Sequence, residues 1–297
     1  MGALSILGTA DPMRQVMGPG VPGTVFVDPP YCFRCPWNQS YPNCDLLCAE
    51  TIQRAIQFES PETVAAVIGE PVMQGFGALG FPNEYWSRVR EICDRYDVLL
   101  IMDEVITGFG RTGTMFATEQ TGIVPDIMVM AKGITSGYFP LSAMACTPRV
   151  VESMPTFLHL HTWGSHPVGC AVALKNIEII EQENLVDRSR ELGEYFLSGL
   201  RELEKHPLVG EARGTGLWCA LDLVEDSETR AMFSAEDSPA PSLVKRARDK
   251  GLIIKMMGPA LEFAPPLIIS KDQLDWAVET LDQVLTDEER ARGIAKL

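Results

Sequence analysis

Val98-Leu99-Leu100-Ile101-Met102 is a continuous apolar run, and Asp103-Glu104 ends it. Three further runs share its form. Val64-Ala65-Ala66-Val67-Ile68-Gly69 stops at Glu70-Pro71, Asp126-Ile127-Met128-Val129-Met130-Ala131 stops at Lys132-Gly133, and Leu141-Ser142-Ala143-Met144-Ala145-Cys146 is the fourth. Their length and the breakers after them favour buried strands over helix segments. Residues 83–96 have helical spacing, with Asn83 as the expected N-cap and Glu84 in the first turn. Strands apolar on both faces and separated by helices form a largely parallel sheet, so the fold class is α/β. In such sheets the functional crevice lies at the carboxyl ends of the strands. Glu70, Asp103 and Lys132 stand at three of those ends. Ionisable groups flush against buried strands are costly unless paired or used.

On either side of these runs the organisation is also legible. Residues 1–45 are rich in Gly, Pro and Cys and read mostly as loop, followed by a helix over 46–58 that begins near Asp45. A long helix over 167–183 starts at Pro167 and leads to a second over 185–204. Val209 to Val224 reads as strands with Gly210, Gly214 and Gly216 at turns or bulges, and 226–241 as a polar loop. Ser242 to Lys250 reads as a helix, Leu252–Lys255 and Leu261–Ala264 as strands, and 271–285 as a closing helix. A large domain over 1–180 and a smaller α+β domain over 181–297 are therefore expected.

The chain has 297 residues, of which 46% are apolar, too many for a disordered chain. With 25 Lys+Arg against 40 Asp+Glu the net charge is −15, which argues against nucleic acid or an anionic membrane as partner. An apolar stretch of about 18 residues, as a membrane span needs, does not occur. The start lacks the basic and apolar segments of a signal peptide, and Ser5 fits a myristoylation reading of Met1-Gly2 poorly. These features make the expected location cytoplasmic. Of eight cysteines, Cys32, Cys35, Cys44 and Cys48 cluster as C-x2-C-x8-C-x3-C. That spacing suits a small zinc site, but it fits a loop of buried or reduced thiols better.

A lysine at the end of a buried strand is a candidate Schiff-base residue, because desolvation lowers its pKa and frees the amine. An aspartate at a neighbouring strand end could hold a protonated pyridine nitrogen and so make a pyridoxal phosphate ring an electron sink. Taken alone, Lys132 reads better as an ordinary surface lysine, and Asp103 could be a helix or turn cap. Together, 29 positions apart on two strand ends, they carry more information.

The stretch from Leu99 to Gly113, LLIMDEVITGFGRTG, resembles the signature of class III aminotransferases. Pro125 to Gly133 is similar to the segment that carries their cofactor lysine, and Val67 to Gly75 to their Glu-Pro segment. Thr162-Trp163-Gly164-Ser165-His166-Pro167 resembles the short motif before their long helix, and Ala264-Pro265-Pro266-Leu267 their C-terminal strand. The matches occur in family order over nearly the whole chain.

This resemblance implies the fold of type I pyridoxal-phosphate-dependent transferases, with 1–180 as the cofactor-binding domain, and transamination from an ω-amino acid or amine to a keto acid such as pyruvate or 2-oxoglutarate. It implies that Lys132 carries the cofactor, is displaced by the amino donor, and then shuttles the proton between Cα and the cofactor's C4′. Asp103 would bond the pyridine nitrogen, Val105 pack on a ring face, and Gln74 lie near the ring oxygen. Glu70 would line the substrate side. Thr162 would reach the phosphate of the partner subunit's cofactor, giving a homodimer with shared sites; otherwise it is a helix-flanking cap. No metal is implied.

Two departures accompany the resemblance. Family members carry more chain before Gly2, including a Ser/Thr-Gly phosphate loop and an aromatic residue followed by His-Gly, so the large domain is expected to be incomplete. In several amine and ω-amino acid members an arginine binds the substrate carboxylate. Lys255 occupies that place, and a lysine cannot form the bidentate pair. A racemase, decarboxylase or aminomutase on the same scaffold, or a catalytically silent fragment or partner subunit, stay open as alternatives.

Overall fold

The computed structural model describes residues 2–8, 16–156, 158 and 160–294. Part of the expected loop over 1–45, residues 9–15, lies outside the described residues. A single helical turn, α1 (Gly2–Ser5), precedes an irregular segment that reaches α2 (Leu47–Phe58). Then come β1 (Ala66–Gly69), α3 (Tyr85–Tyr96), β2 (Leu99–Asp103), β3 (Ile127–Met130), β4 (Ala143–Cys146), α4 (Pro148–Ser153) and α5 (Pro167–Gln182). The C-terminal part holds α6 (Leu185–Arg201), β5 (Val209–Thr215), β6 (Trp218–Leu223), α7 (Ala240–Asp249), β7 (Lys255–Met257), β8 (Ala260–Phe263) and α8 (Lys271–Arg292).

The four apolar runs form one sheet in the order β1-β2-β3-β4. The first three strands are parallel, with Ala66 opposite Leu99 and Asp103 opposite Val129, and β4 closes the edge antiparallel. Register at the start of β3 is fixed by Asp126, whose buried carboxylate accepts the Leu100 N–H at 2.8 Å and an Arg90 N–H at 2.7 Å. Burial opposes ionisation there, but those two donors hold the carboxyl below the usual aspartate range. The helix α3 turns Tyr85, Trp86, Val89, Ile92 and Cys93 inward at a spacing of three and four, onto Leu100 and Met102 of the sheet and Ile52 and Ile56 of α2. The expected burial of every run on both faces is not met at the sheet's edges. Ile68 on β1 and Met144 on β4 are 38% and 53% exposed.

The second sheet, β5-β6-β8-β7, is antiparallel throughout. Leu192, Phe196 and Leu200 of α6, Leu243 of α7 and Leu281, Val284 and Leu285 of α8 cover it. At Gly193 a Cβ would stand 2.2 Å from the Gly216 backbone, so only glycine lets α6 reach the β5–β6 turn. Fully burying each Leu here contributes roughly 1.5–3 kcal/mol.

Several expected ends move, each for a local reason. Asn83 is not the N-cap: Glu84 precedes α3 without a side-chain cap bond, and its carboxylate instead accepts the Tyr41 hydroxyl at 2.5 Å. The helix expected from Asp45 starts at Leu47, because Asp45 and Leu46 both have positive φ. The closing helix runs past 285 to Arg292, where Gly293 ends it at φ +71°. Glu288 and Glu289 in its last turns are buried rather than solvated, with Glu288 bonded to Arg246 and Arg292 and Glu289 bonded to His206. The strand expected at 252–255 forms at Lys255–Met257. Among the described residues no helix is long and apolar enough to cross a membrane.

Candidate active site

The ends of β1, β2 and β3 bring Glu70, Asp103 and Lys132 to one edge of the parallel sheet. Lys132 follows Ala131 directly after β3 and has φ +45°, an uncommon conformation for a residue with a Cβ. It is held there from two sides. Asn176 of α5 donates to the Gly133 and Ile134 carbonyls at 2.8 and 3.3 Å. Gly133 lies so close to Phe109 that a Cβ would come within 3.1 Å of its Cβ. The Lys132 side chain stays open to solvent and, among the described residues, has no carboxylate within ion-pair distance. Desolvation lowers its ammonium below the ordinary lysine range; Asp103 and Glu70 oppose that shift, and Lys255 adds to it.

One Asp103 carboxylate oxygen accepts the Val105 N–H at 2.9 Å, which turns the chain sharply out of β2. Glu70 is half-buried, and its Oε2 accepts the Gln74 N–H at 3.1 Å. Burial pushes its carboxyl up to about 7, with Asp103 and Glu262 adding to the rise and the Gln74 N–H and Lys132 opposing it. A carboxyl and an amine whose affinities for protons are drawn together in this way suit proton transfer near neutral pH.

Two residues not singled out in the sequence also belong to this region. Glu262 is buried on β8, cross-strand from Lys255, and accepts the Trp218 indole N–H at 2.6 Å. Its charge acts on both Lys132 and Glu70, and that of Lys255 acts on Lys132, so the second sheet brings two charged groups to the cluster. A carboxylate inside the apolar run Ala260-Leu261-Glu262-Phe263 is the signal that could have found it. Glu104 is wholly buried and accepts N–H bonds from Ala117 and Thr118 at 3.1 and 2.7 Å, together with the hydroxyls of Thr107 and Thr118. It organises the loop after β2 and has no unused oxygen to offer a ligand. Arg111 in that loop donates to the Leu217 and Pro265 carbonyls at 2.8 and 2.6 Å, tying the two sheets together.

Thr162 lies exposed in the loop before α5, and among the described residues no bond joins it to the Lys132 cluster. The four clustered cysteines line one pocket beside Tyr31, Trp37 and Tyr41 as free thiols. Burial pushes the Cys48 thiol up to about 11 and raises Cys32 as well. Among the described residues no group of three or more His, Cys, Asp or Glu is placed to hold a metal ion.

Among the described residues, the sheet end therefore presents an amine without a direct partner and an aspartate with one oxygen uncommitted, on neighbouring parallel strands. The aminotransferase class-III profile matches residues 1–285. The chain belongs to the class III aminotransferase family. It is 37% identical, over 95% of its length, to an adenosylmethionine-8-amino-7-oxononanoate aminotransferase of Geobacter sulfurreducens, and covers 64% of that protein. It is 37% identical to a putrescine–pyruvate aminotransferase of Pseudomonas aeruginosa, over 93% of this chain and 61% of the relative. Among solved structures, the ω-transaminase of Pseudomonas jessenii in complex with PMP superposes with a TM-score of 0.93 at 37% identity, covering 99% of this chain and 67% of that one. This is the type I transferase fold expected from the motifs. The chain spans about 64% of the length of the first curated relatives it matches.

The residues at the sheet end fit pyridoxal phosphate, the cofactor of this family. A reactive lysine amine and an available carboxylate oxygen are the two groups its aldehyde and its pyridine nitrogen require.

Proposed function

We propose that this chain carries the catalytic centre of an aminotransferase that moves an amino group from an ω-amino acid or amine to a keto acid such as pyruvate or 2-oxoglutarate. The observation that carries this reading is the pair Lys132 and Asp103 on adjacent parallel strand ends, each with a polar atom left free among the described residues. When bound, pyridoxal phosphate supplies an electron sink for the charge left at the substrate carbon after its proton departs. Lys132 would hold the cofactor, and its Nζ when free would take and return that proton; desolvation lowers its ammonium below the ordinary lysine range, which favours that exchange. Asp103 would hold the ring nitrogen in its protonated form with the oxygen that Val105 does not engage. Val105 would pack on one ring face and Gln74 would meet the ring oxygen. Glu70 and Lys255 face the donor, and Lys255 offers a carboxylate-bearing donor a single point charge.

Thr162 serves the phosphate of a partner subunit's cofactor, which makes the working assembly a homodimer. Its exposed position before α5 supports that reading. The division into a cofactor domain over 1–180 and a small domain over 181–297 follows the two sheets. Eight free thiols support a reducing, cytoplasmic location.

The same lysine–aspartate pair could serve a racemase, and a leucine/methionine racemase of Thermococcus litoralis is 35% identical over 98% of this chain. The deciding experiment supplies a nitrogen-labelled amine donor and pyruvate to the cofactor-loaded protein. Labelled alanine is the expected product. Exchange or inversion of the donor without labelled alanine would overturn the aminotransferase reading.

A further inference from the structure

Arg213 projects from β5 into the space between the two sheets, where its side chain is buried. Its Nη1 donates to Asp222 Oδ2 at 2.6 Å and to Glu211 Oε2 at 2.8 Å. Asp222, wholly buried, also accepts an Arg34 N–H at 2.6 Å and the Tyr31 hydroxyl. One edge of the guanidinium is thus anchored to the second sheet. The remaining donors point at the loop after β1, Nε to the Gly77 carbonyl at 2.9 Å and Nη2 to the Phe76 carbonyl.

Those carbonyls close a turn that ends in the active site. Gly77 N–H donates to the Gln74 carbonyl at 2.7 Å, and Gln74 N–H donates to Glu70 Oε2 at 3.1 Å. The turn is also supported from the far side. Gly77, at φ +74°, lies so close to Ala260 and Ala220 that a Cβ would stand 2.8 and 3.2 Å from their methyls. A planar fork gripping two consecutive carbonyls fixes both the position and the tilt of a peptide, which a flexible ammonium cannot do.

We infer that Arg213 is a positioning residue: by holding the Phe76 and Gly77 carbonyls it keeps the Gln74 N–H aimed at Glu70 and so sets the protonation state in which that carboxyl meets the substrate. The groups facing Glu70 are Asp103 at the end of β2, Lys132 after β3 and Glu262 on β8, with the Gln74 N–H from its own loop. Of these, the Gln74 N–H is the one joined to Arg213 through the turn at 74–77. The meaning for catalysis rests on the function proposed above; the coupling itself does not.

The test is a pH titration of the Glu70 carboxyl band by infrared difference spectroscopy on the full chain without cofactor, with Glu70→Gln as the subtraction. In the wild type the protonated band is expected to vanish with a midpoint near 7. Arg213→Lys keeps a positive charge beside Asp222 but loses the fork, and its midpoint is expected to rise by about one pH unit, the effect of losing one hydrogen bond to the carboxylate. Tyr31→Phe removes a donor to Asp222 while leaving the grip on the carbonyls, so it should lower stability and leave the midpoint in place. A folded Arg213→Lys protein with an unmoved midpoint, or an equal shift in Tyr31→Phe, would overturn the inference. If Arg213→Lys does not fold, Gly77→Ala displaces the same turn from its other face and carries the same two outcomes. In loaded protein, the Glu70 limb of the kcat/KM profile should follow the infrared shift. Absence of turnover with every donor would refute the functional reading and leave the infrared result to decide this one.

Discussion

Two groups of charges sit on either side of the turn at 74–77, and they differ in how completely they are paired. Around Asp222 the buried charges are directly partnered: its two oxygens take donors from Arg34, Arg213 and Tyr31, and Arg213 spends its remaining donors on Glu211 and two carbonyls. At the ends of β1, β2 and β3 the pairing is incomplete. Glu70 accepts one N–H, Asp103 accepts one N–H, and Lys132 has no direct partner among the described residues. The first group exchanges its hydration for fixed bonds and serves the fold. In the second, the proton affinities of Glu70 and Lys132 are displaced toward neutrality, and the uncommitted atoms remain for a ligand.

Breaking one member of each group should therefore have opposite consequences. Lys132→Ala should abolish transamination, by a factor on the order of 10²–10⁴ or more, while moving the unfolding free energy by less than about 0.5 kcal/mol. Labelled-donor turnover and urea unfolding measure the two. Asp222→Ala should do the reverse to stability, costing about 3–5 kcal/mol, because Arg213 and Arg34 are left buried without their carboxylate. Urea unfolding reads that loss directly.

The titration of Glu70 sharpens the contrast. Its carboxyl is raised from about 4.5 to about 7 on folding, so between those values the folded chain keeps a proton that the unfolded chain has released. Stability from this group is therefore present at low pH and is lost as pH rises from about 4.5 through about 7. Glu70→Gln should remove that loss. The variant should gain on the wild type by at most about 3 kcal/mol between pH 5 and pH 8 in paired urea melts. Equal differences at both pH values would mean that Glu70 is not held in its neutral form. The smallest effect is expected at the rim of the site. Lys255→Arg should lower KM for a carboxylate-bearing donor about fivefold and leave a simple amine unchanged, since only the former can use a bidentate partner.

The two groups also differ in how they could be read. The strand ends were legible in the sequence because a buried parallel strand needs a continuous apolar run, and the residue that stops it stands out. Glu70, Asp103 and Lys132 were found that way, and the family motifs around them gave the fold. The Asp222 group was not, because Arg34 and Asp222 are 188 positions apart and meet only when the second sheet folds. An arginine inside the run Val209–Val224, beside Gly214, was its one local trace. The extended end of α8 escaped for a related reason: Glu288 and Glu289 look like a solvated helix end until Arg246, Arg292 and His206 are brought against them. Buried polar residues are recognisable as such only once their distant partners are known.

The central claim is that the free amine at the end of β3 is the group that takes the cofactor. Incubation with pyridoxal phosphate, borohydride reduction and peptide mass mapping test it most directly, since reduction fixes the cofactor on whichever lysine has reacted with its aldehyde. The expected result is a pyridoxyl group on Lys132 alone, absent from Lys132→Ala. Labelling spread over surface lysines with Lys132 unmodified would contradict the account.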